Sequence, residues 1–268
     1  MSMTAESMFD YFKEHKPQAT LDGSAYWLVE GDLLMDENEL WAYAIERAEM
    51  AAAEADESRE GLIAATGADN RIIRWRQGKV LTYFVRRSAF ADDTQYQTVA
   101  DNMRKAASAW ESVCGVKFRY LAELDAVANT RPDTALFDVR GVRPDQVTEK
   151  TKNTLASAFF PYSPADRRHV LVFPSYFTQT KVDPVGIFRH ELGHVLGFKH
   201  EHIRSPSAMD CGDEKFEKAK PMTPYDSKSV MHYLCGGGGD QSLRITEIDR
   251  LGAQRVYGLS FAEVDERD

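Results

Sequence analysis

Residues 190–202 read HELGHVLGFKHEH. On a helix, His190 and His194 project from one face a single turn apart, so both imidazoles can reach one ion. Glu191 stands beside the first of them, where its carboxylate can take a proton from water held at a metal. Gly197 permits the left-handed turn that stops a helix, and the returning chain then delivers His200 as a third nitrogen. Three neutral imidazoles with one open position form the donor set of a hydrolytic zinc site. A lone HExxH arises by chance on surface helices, but the added Gly197 and His200 make accident a poor explanation.

The pattern HExxHxxGxxH is the metzincin signature, and Phe198 with Glu201 makes it resemble the astacin form, HExxHxxGFxHE. Downstream, residues 223–233 read TPYDSKSVMHY, similar to the astacin PYDYxSVMHY segment, with Ser227 in place of its second tyrosine. The likeness extends over roughly residues 72–258 through Trp75, KVLTYF, the Trp110-Glu111 pair, CGVKF at 114–118, Ile248-Asp249 and Val256-Tyr257-Gly258. This resemblance implies a metzincin fold, Zn2+ as cofactor and hydrolysis of peptide bonds in protein or peptide substrates. It implies Met231 as the Met-turn residue beneath the ligands. It also implies Tyr233 as a resting metal ligand that swings to hold the oxyanion, and Glu201 as partner of a new N-terminus after maturation. The matrixins are disfavoured, since they carry other residues at positions 201 and 233. The family's disulfide pattern does not carry over, because the C-terminal cysteine that pairs with the position of Cys114 is missing. Residues 205–209, SPSAM, replace the family's DRD-like run.

Working outward, the chain divides near residue 69. Residues 79–86 (KVLTYFVR) are β-branched and aromatic and predict a strand. Residues 92–113 predict a long helix with Ala100, Met103, Ala107 and Trp110 on one stripe. Further strands are expected at 116–121, 135–140, 156–160 and 169–173, and helices at 185–196 and 247–257. This is an α+β pattern: a twisted mixed sheet and two long helices above, and an irregular lower lobe. Residues 69–268 are therefore the expected catalytic domain, with substrate lying extended along the strand at 156–160.

Residues 1–68 read as an inhibitory pro-segment. A short helix is expected at 8–13, an extended stretch at 24–34 turning at 30–32, a helix at 37–55, and a polar, exposed connector at 61–70. The first 70 residues hold 16 acidic against 4 basic side chains, while the remainder holds 26 against 29. Complementary charge suits an attached inhibitor, although a solvated acidic helix gives the same count. Astacin proenzymes carry a Phe-x-Gly-Asp element whose aspartate takes the water's place on zinc. Here Val29-Glu30-Gly31-Asp32 resembles it without the aromatic, which makes Asp32 a candidate ligand of a latent form. An ordinary Gly-Asp surface turn is the alternative. Cleavage within 61–74 is the expected activation.

The net charge of -9 argues against a nucleic-acid partner. No apolar run is long enough to span a bilayer, and residues 1–10 lack the features of a secretory signal, which leaves localisation open between the cytoplasm and another export route. A monomer is expected. Cys211 and Cys235 flank a short insertion and could pair, leaving Cys114 over. Arg204 and Lys228 are candidates for attracting an acidic side chain next to the cleaved bond, or are simply solvated. The rival from another class, a silent zinc-containing peptide-binding protein, would be signalled by loss of Glu191 or Tyr233, and both are present.

Overall fold

The computed structural model describes residues 4–21, 23–29, 31–51, 62–67, 69–126, 130–204 and 219–264. Its centre is a five-stranded sheet of β5 (Val80–Val85), β6 (Lys117–Tyr120), β7 (Phe137–Gly141), β8 (Ala156–Ser157) and β9 (His169–Val172), in the order β6-β5-β7-β9-β8. All pairings are parallel except β8 with β9, so an antiparallel strand forms one edge. The sheet is mixed, as the residue pattern predicts. β8 is shorter than expected: Ala158, Phe159 and Phe160 leave the ladder to be buried, and Pro161 and Pro164 follow, which cannot donate to a strand.

Helix α3 (Asp93–Val113) starts where the Asp92 side chain accepts from Gln95 N. It buries Tyr96, Val99, Ala100, Met103, Ala106, Ala107 and Trp110. A short helix, α4 (Pro174–Thr178), follows β9. Trp110 donates from its indole to Arg189 O at 2.8 Å, locking α3 to α5 (Pro184–Val195). The last helix, α6 (Glu247–Tyr257), opens with a Thr246–Asp249 capping box.

The N-terminal segment folds as α1 (Ala5–His15), the antiparallel meander β1 (Gln18–Leu21), β2 (Ser24–Val29) and β3 (Leu33–Met35), and α2 (Glu37–Ala51). Residues 52–55 of the expected helix lie outside the described residues. At the start of α2, Asp36 and Glu39 cap each other: Glu39 N donates to Asp36 Oδ1 and Asp36 N to Glu39 Oε2. Phe12, Trp27, Val29, Leu33, Leu40 and Tyr43 form this segment's core, and Ala65 and Phe160 close it from the other side.

One expectation is overturned. The connector at 61–70 is not a uniformly exposed link, because residues 62–66 are all buried. β4 (Ile63–Ala65) is the central strand of a second sheet, antiparallel to β10 (Phe198–Lys199) on one side and β11 (Ala219–Pro221) on the other. The small and polar residues from Thr66 to Asn70 suggest a loop, but Leu62 and Ile63 before them are apolar and are buried when β10 and β11 pair on either side. Exposure begins only in the turn at Asp69, Asn70 and Arg71.

Candidate metal centre

Helix α5 is started by Asp183, whose side chain accepts from Val185 N, with Pro184 at the first helical position. It carries His190, Glu191 and His194, all buried. The helix ends at Gly197, whose φ of 95° lies in the left-handed region. A Cβ there would meet Ile73 O at 2.8 Å, so both the conformation and the space require glycine. β10 follows at once and sets His200 against the two helical histidines.

Three imidazoles and one carboxylate converge. His200 Nε2 lies 3.2 Å from His190 Nε2 and 3.1 Å from His194 Nε2. Asp32 enters from the β2–β3 hairpin, with Oδ2 at 3.1 Å from His190 Nε2, 3.1 Å from His200 Nε2 and 3.5 Å from His194 Nε2. The four donor atoms lie within 4.8 Å of one another. Gly31, at φ 86°, makes the approach possible: a Cβ there would sit 2.9 Å from the Tyr233 hydroxyl.

The opposite ring nitrogens explain how the imidazoles are aimed. His190 Nδ1 faces Val230 O at 2.7 Å and His194 Nδ1 faces Phe198 O at 2.8 Å. A carbonyl only accepts, so each Nδ1 bears the proton and each Nε2 turns a lone pair inward. Neutral lone pairs about 3 Å apart repel unless a cation lies among them, and Asp32 Oδ1 and Glu191 Oε2 are buried without a hydrogen-bond partner. Three nitrogens and a carboxylate oxygen fit tetrahedral Zn2+.

The electrostatics agree. Burial opposes charge on Asp32, but His200 and His194 outweigh it and hold its carboxyl well below the usual range. Burial, and then the Asp32 charge, push the Glu191 carboxyl well above its usual value. Burial lowers His194 to about 4, against the pull of Asp32, which keeps it neutral and able to ligate.

The remaining site residues lie close by. Met231 is fully buried against α5 at Gly193, where an added Cβ would strike its sulfur. The Tyr233 ring centroid is 4.3 Å from that of His200 and 5.7 Å from that of His190. Glu201 is buried and accepts from Asp226 N at 3.0 Å, so it is engaged within the intact chain. Lys228 is exposed, while the Arg204 side chain, Glu30, residues 205–209 and Cys211 lie outside what is described. Cys235 is disulfide-bonded, and Cys114 is a buried free thiol pushed up to about 12 by burial. No helix among the described residues is long and apolar enough to cross a membrane.

Two supporting residues escaped sequence reasoning. Asp249 accepts from Ser229 Oγ, Val230 N and Thr246 N, bracing the turn that carries Met231. Its Thr-x-x-Asp spacing marks a helix start, but nothing in it points to the metal. Arg167 pairs with Asp36 across the two parts of the chain, a contact with no local signal.

The matrixin family model matches residues 74–212. Among curated relatives, the zinc metalloproteinase nas-39 of Caenorhabditis elegans is 43% identical over 67 residues, 19% of this chain and 7% of that protein. An astacin-like metalloendopeptidase of Gallus gallus is 45% identical over 62 residues, 18% of this chain and 15% of that one. The chain thus spans no more than about a quarter of the length of the curated relatives it matches. A solved structure of myroilysin superposes with a TM-score of 0.48 at 14% identity, covering 73% of this chain and 98% of that one.

Proposed function

The chain belongs to the matrixin family of peptidases, as an astacin-like metzincin by the residues around its metal centre, and on that premise we propose a zinc endopeptidase held latent by its own N-terminal segment. The matrixin match covers the three-histidine stretch that metzincins share and ends before Tyr233, so the astacin-like reading rests on Glu201, which lies inside the match, and on Tyr233, which lies beyond it. Zinc, when bound, supplies a Lewis acid that polarises a scissile carbonyl and makes water nucleophilic near neutral pH. His190, His194 and His200 would hold the ion. Glu191 takes the proton from the attacking water and hands it to the leaving amine. The Tyr233 phenol donates to the carbonyl oxygen as it gains charge. β8, at the sheet edge, offers its backbone to an extended peptide.

The observation that carries latency is the Asp32 carboxylate, 3.1 to 3.5 Å from three imidazole nitrogens in the place a water needs. Residues 1–68 act as the inhibitor and residues 69–268 as the catalytic domain, with β4 built into the latter's sheet. No observation favours a silent peptide-binding role.

The test uses the full chain, with metal content and peptide cleavage measured together. Glu191→Gln is expected to keep one zinc per chain and lose turnover by about two to four orders of magnitude. Asp32→Ala is expected to raise basal cleavage of the uncut chain by at least about tenfold, since water regains the fourth position. Near-normal turnover in Glu191→Gln removes the mechanism. Unchanged basal cleavage in Asp32→Ala removes Asp32 from latency.

A further inference from the structure

Arg167 lies in the loop between β8 and β9, in a short turn over Ala165–Arg167. Its strong partners belong to the N-terminal segment. Nη2 stands 2.9 Å from Asp36 Oδ2, Nη1 donates to the Tyr26 hydroxyl, and the guanidinium lies 5.2 Å over the Tyr26 ring. Its ion-pair contact within its own loop is Asp166, at 3.9 Å and largely exposed. Once the N-terminal segment leaves, Arg167 keeps its charge and loses the groups that neutralise it.

The path of the segment gives that charge a meaning. Asp32 sits at the metal, β3 runs on from it, and Leu34 N donates to Ser157 Oγ on edge strand β8 at 3.3 Å. Asp36 then reaches Arg167. At about 3.3 Å per residue, four residues place that pair roughly 13 Å along the cleft from the metal. Residues 33–35 are therefore extended beside the edge strand, with the Asp32 carboxylate at the histidines before them, one backbone N–H on the Ser157 hydroxyl, and the Asp36 side chain on the Arg167 guanidinium after them. A cavity of about 320 Å³ opens beside them, walled by Leu33 and Leu34 from the segment and by Ser157, Phe159, Phe160 and Arg167 from the sheet side.

We propose that Arg167 forms an acid-selecting subsite, about four residues from the scissile bond, which Asp36 fills in the latent chain and an aspartate or glutamate of the substrate fills in the active one. The charge balance points the same way, with an acidic segment resting on a catalytic part that is slightly basic. A guanidinium presents parallel donors that match a carboxylate and not an amide, so it discriminates between Asp and Asn of equal size.

The inference rests on the peptidase reading, and its test separates the two. In the full-length chain, Asp32→Ala and Asp36→Ala together free the three histidines and the Arg167 guanidinium of the segment's carboxylates. Peptide pairs differing only by Asp or Asn at each of five positions on either side of the cut are then compared by kcat/KM. We expect Asp to be favoured about tenfold at one position near the fourth, a ratio that falls to about one in Arg167→Gln and is partly kept in Arg167→Lys. The same peptides, fluorescently labelled, are titrated against the Glu191→Gln form by anisotropy, which reads binding without turnover. Binding that discriminates Asp from Asn through Arg167 supports the subsite even where no cleavage occurs, and that combination defeats the peptidase reading instead. An absent preference in both assays, or one that survives Arg167→Gln, overturns the proposal and leaves Arg167 as a clamp on the N-terminal segment alone.

Discussion

His190 can bind an ion only while its ring is turned correctly, and that orientation is set two contacts away. Its Nδ1 proton is held by Val230 O at 2.7 Å, and Val230 is held in turn by Asp249, which accepts from Val230 N at 2.8 Å and from Ser229 Oγ at 2.5 Å. Asp249 is almost wholly buried; burial raises its carboxyl pKa, against the hydrogen bonds from Ser229, Thr246 and Val230. Losing it leaves three donors without an acceptor and loosens the turn under the metal. Asp249→Ala is therefore expected to weaken zinc binding by about 10- to 100-fold, read by competition with a chelator in the Glu191→Gln chain. Asp249→Asn should retain part of the affinity, since its amide oxygen can still accept from both backbone N–H groups. Equal affinities in all three chains would leave Asp249 as nothing more than a helix cap.

Strand β4 decides how the two parts of the chain can be separated. Ala65 N donates to Gly197 O, Met222 N to Leu62 O and Ile73 N to Ala65 O, each at 2.8 Å, so the strand is tied on both sides. Leu62 and Ile63 are fully buried, and each such side chain contributes about 1.5–3 kcal/mol relative to exposure. A protease needs an accessible segment, and among the described residues between 62 and 73 the exposed ones are those of the turn at 69–71. Trypsin is thus expected to cut after Arg71 and leave residues 1–71 bound to the remainder. The two pieces should elute together from a native size-exclusion column, separate in denaturant, and show little gain in activity while together. Separation on the native column would mean that β4 contributes little to holding the segment.

The whole molecule is an acidic N-terminal segment folded onto the part that carries the three histidines, and pH acts on the join. Glu39 lies at the start of α2 beside Asp36 and near Arg167. Burial, reinforced by the Asp36 charge, raises its pKa from 4.5 to about 6, against the backbone hydrogen bond from Asp36 and the pull of Arg167. The folded state therefore binds a proton that the unfolded state releases sooner. That contribution is complete below pH 4.5 and is lost as pH rises to about 6. Thermal melts should show the wild-type chain losing about 1 kcal/mol of stability across this window, the figure discounted for the part of Glu39 that remains hydrated. Glu39→Gln keeps the acceptor that caps α2 and carries no charge, so its curve should part from the wild type across this window and lie above it at pH 7. Parallel curves for the two chains would rule out Glu39 as the source.

The metal helix, its third histidine and the order of strands and helices are local matters. The one-turn spacing of His190 and His194, the glycine at 197 and the alternation of apolar residues are properties of consecutive positions, and they were legible without any fold. Asp32 was legible only through the incomplete likeness of Val29-Glu30-Gly31-Asp32 to the proenzyme element, because nothing near it in sequence reveals what stands 158 residues away. The burial of residues 62–66 was illegible for the same reason: small apolar residues suit a loop or a strand equally, and it is β10 and β11 that choose. The sequence by itself determined the three clustered histidines and the helix that carries two of them. Tertiary structure alone decided which carboxylate joins the histidines, which strand binds the two parts together and which arginine pairs with Asp36, because long-range pairing is settled by the neighbours a residue acquires on folding.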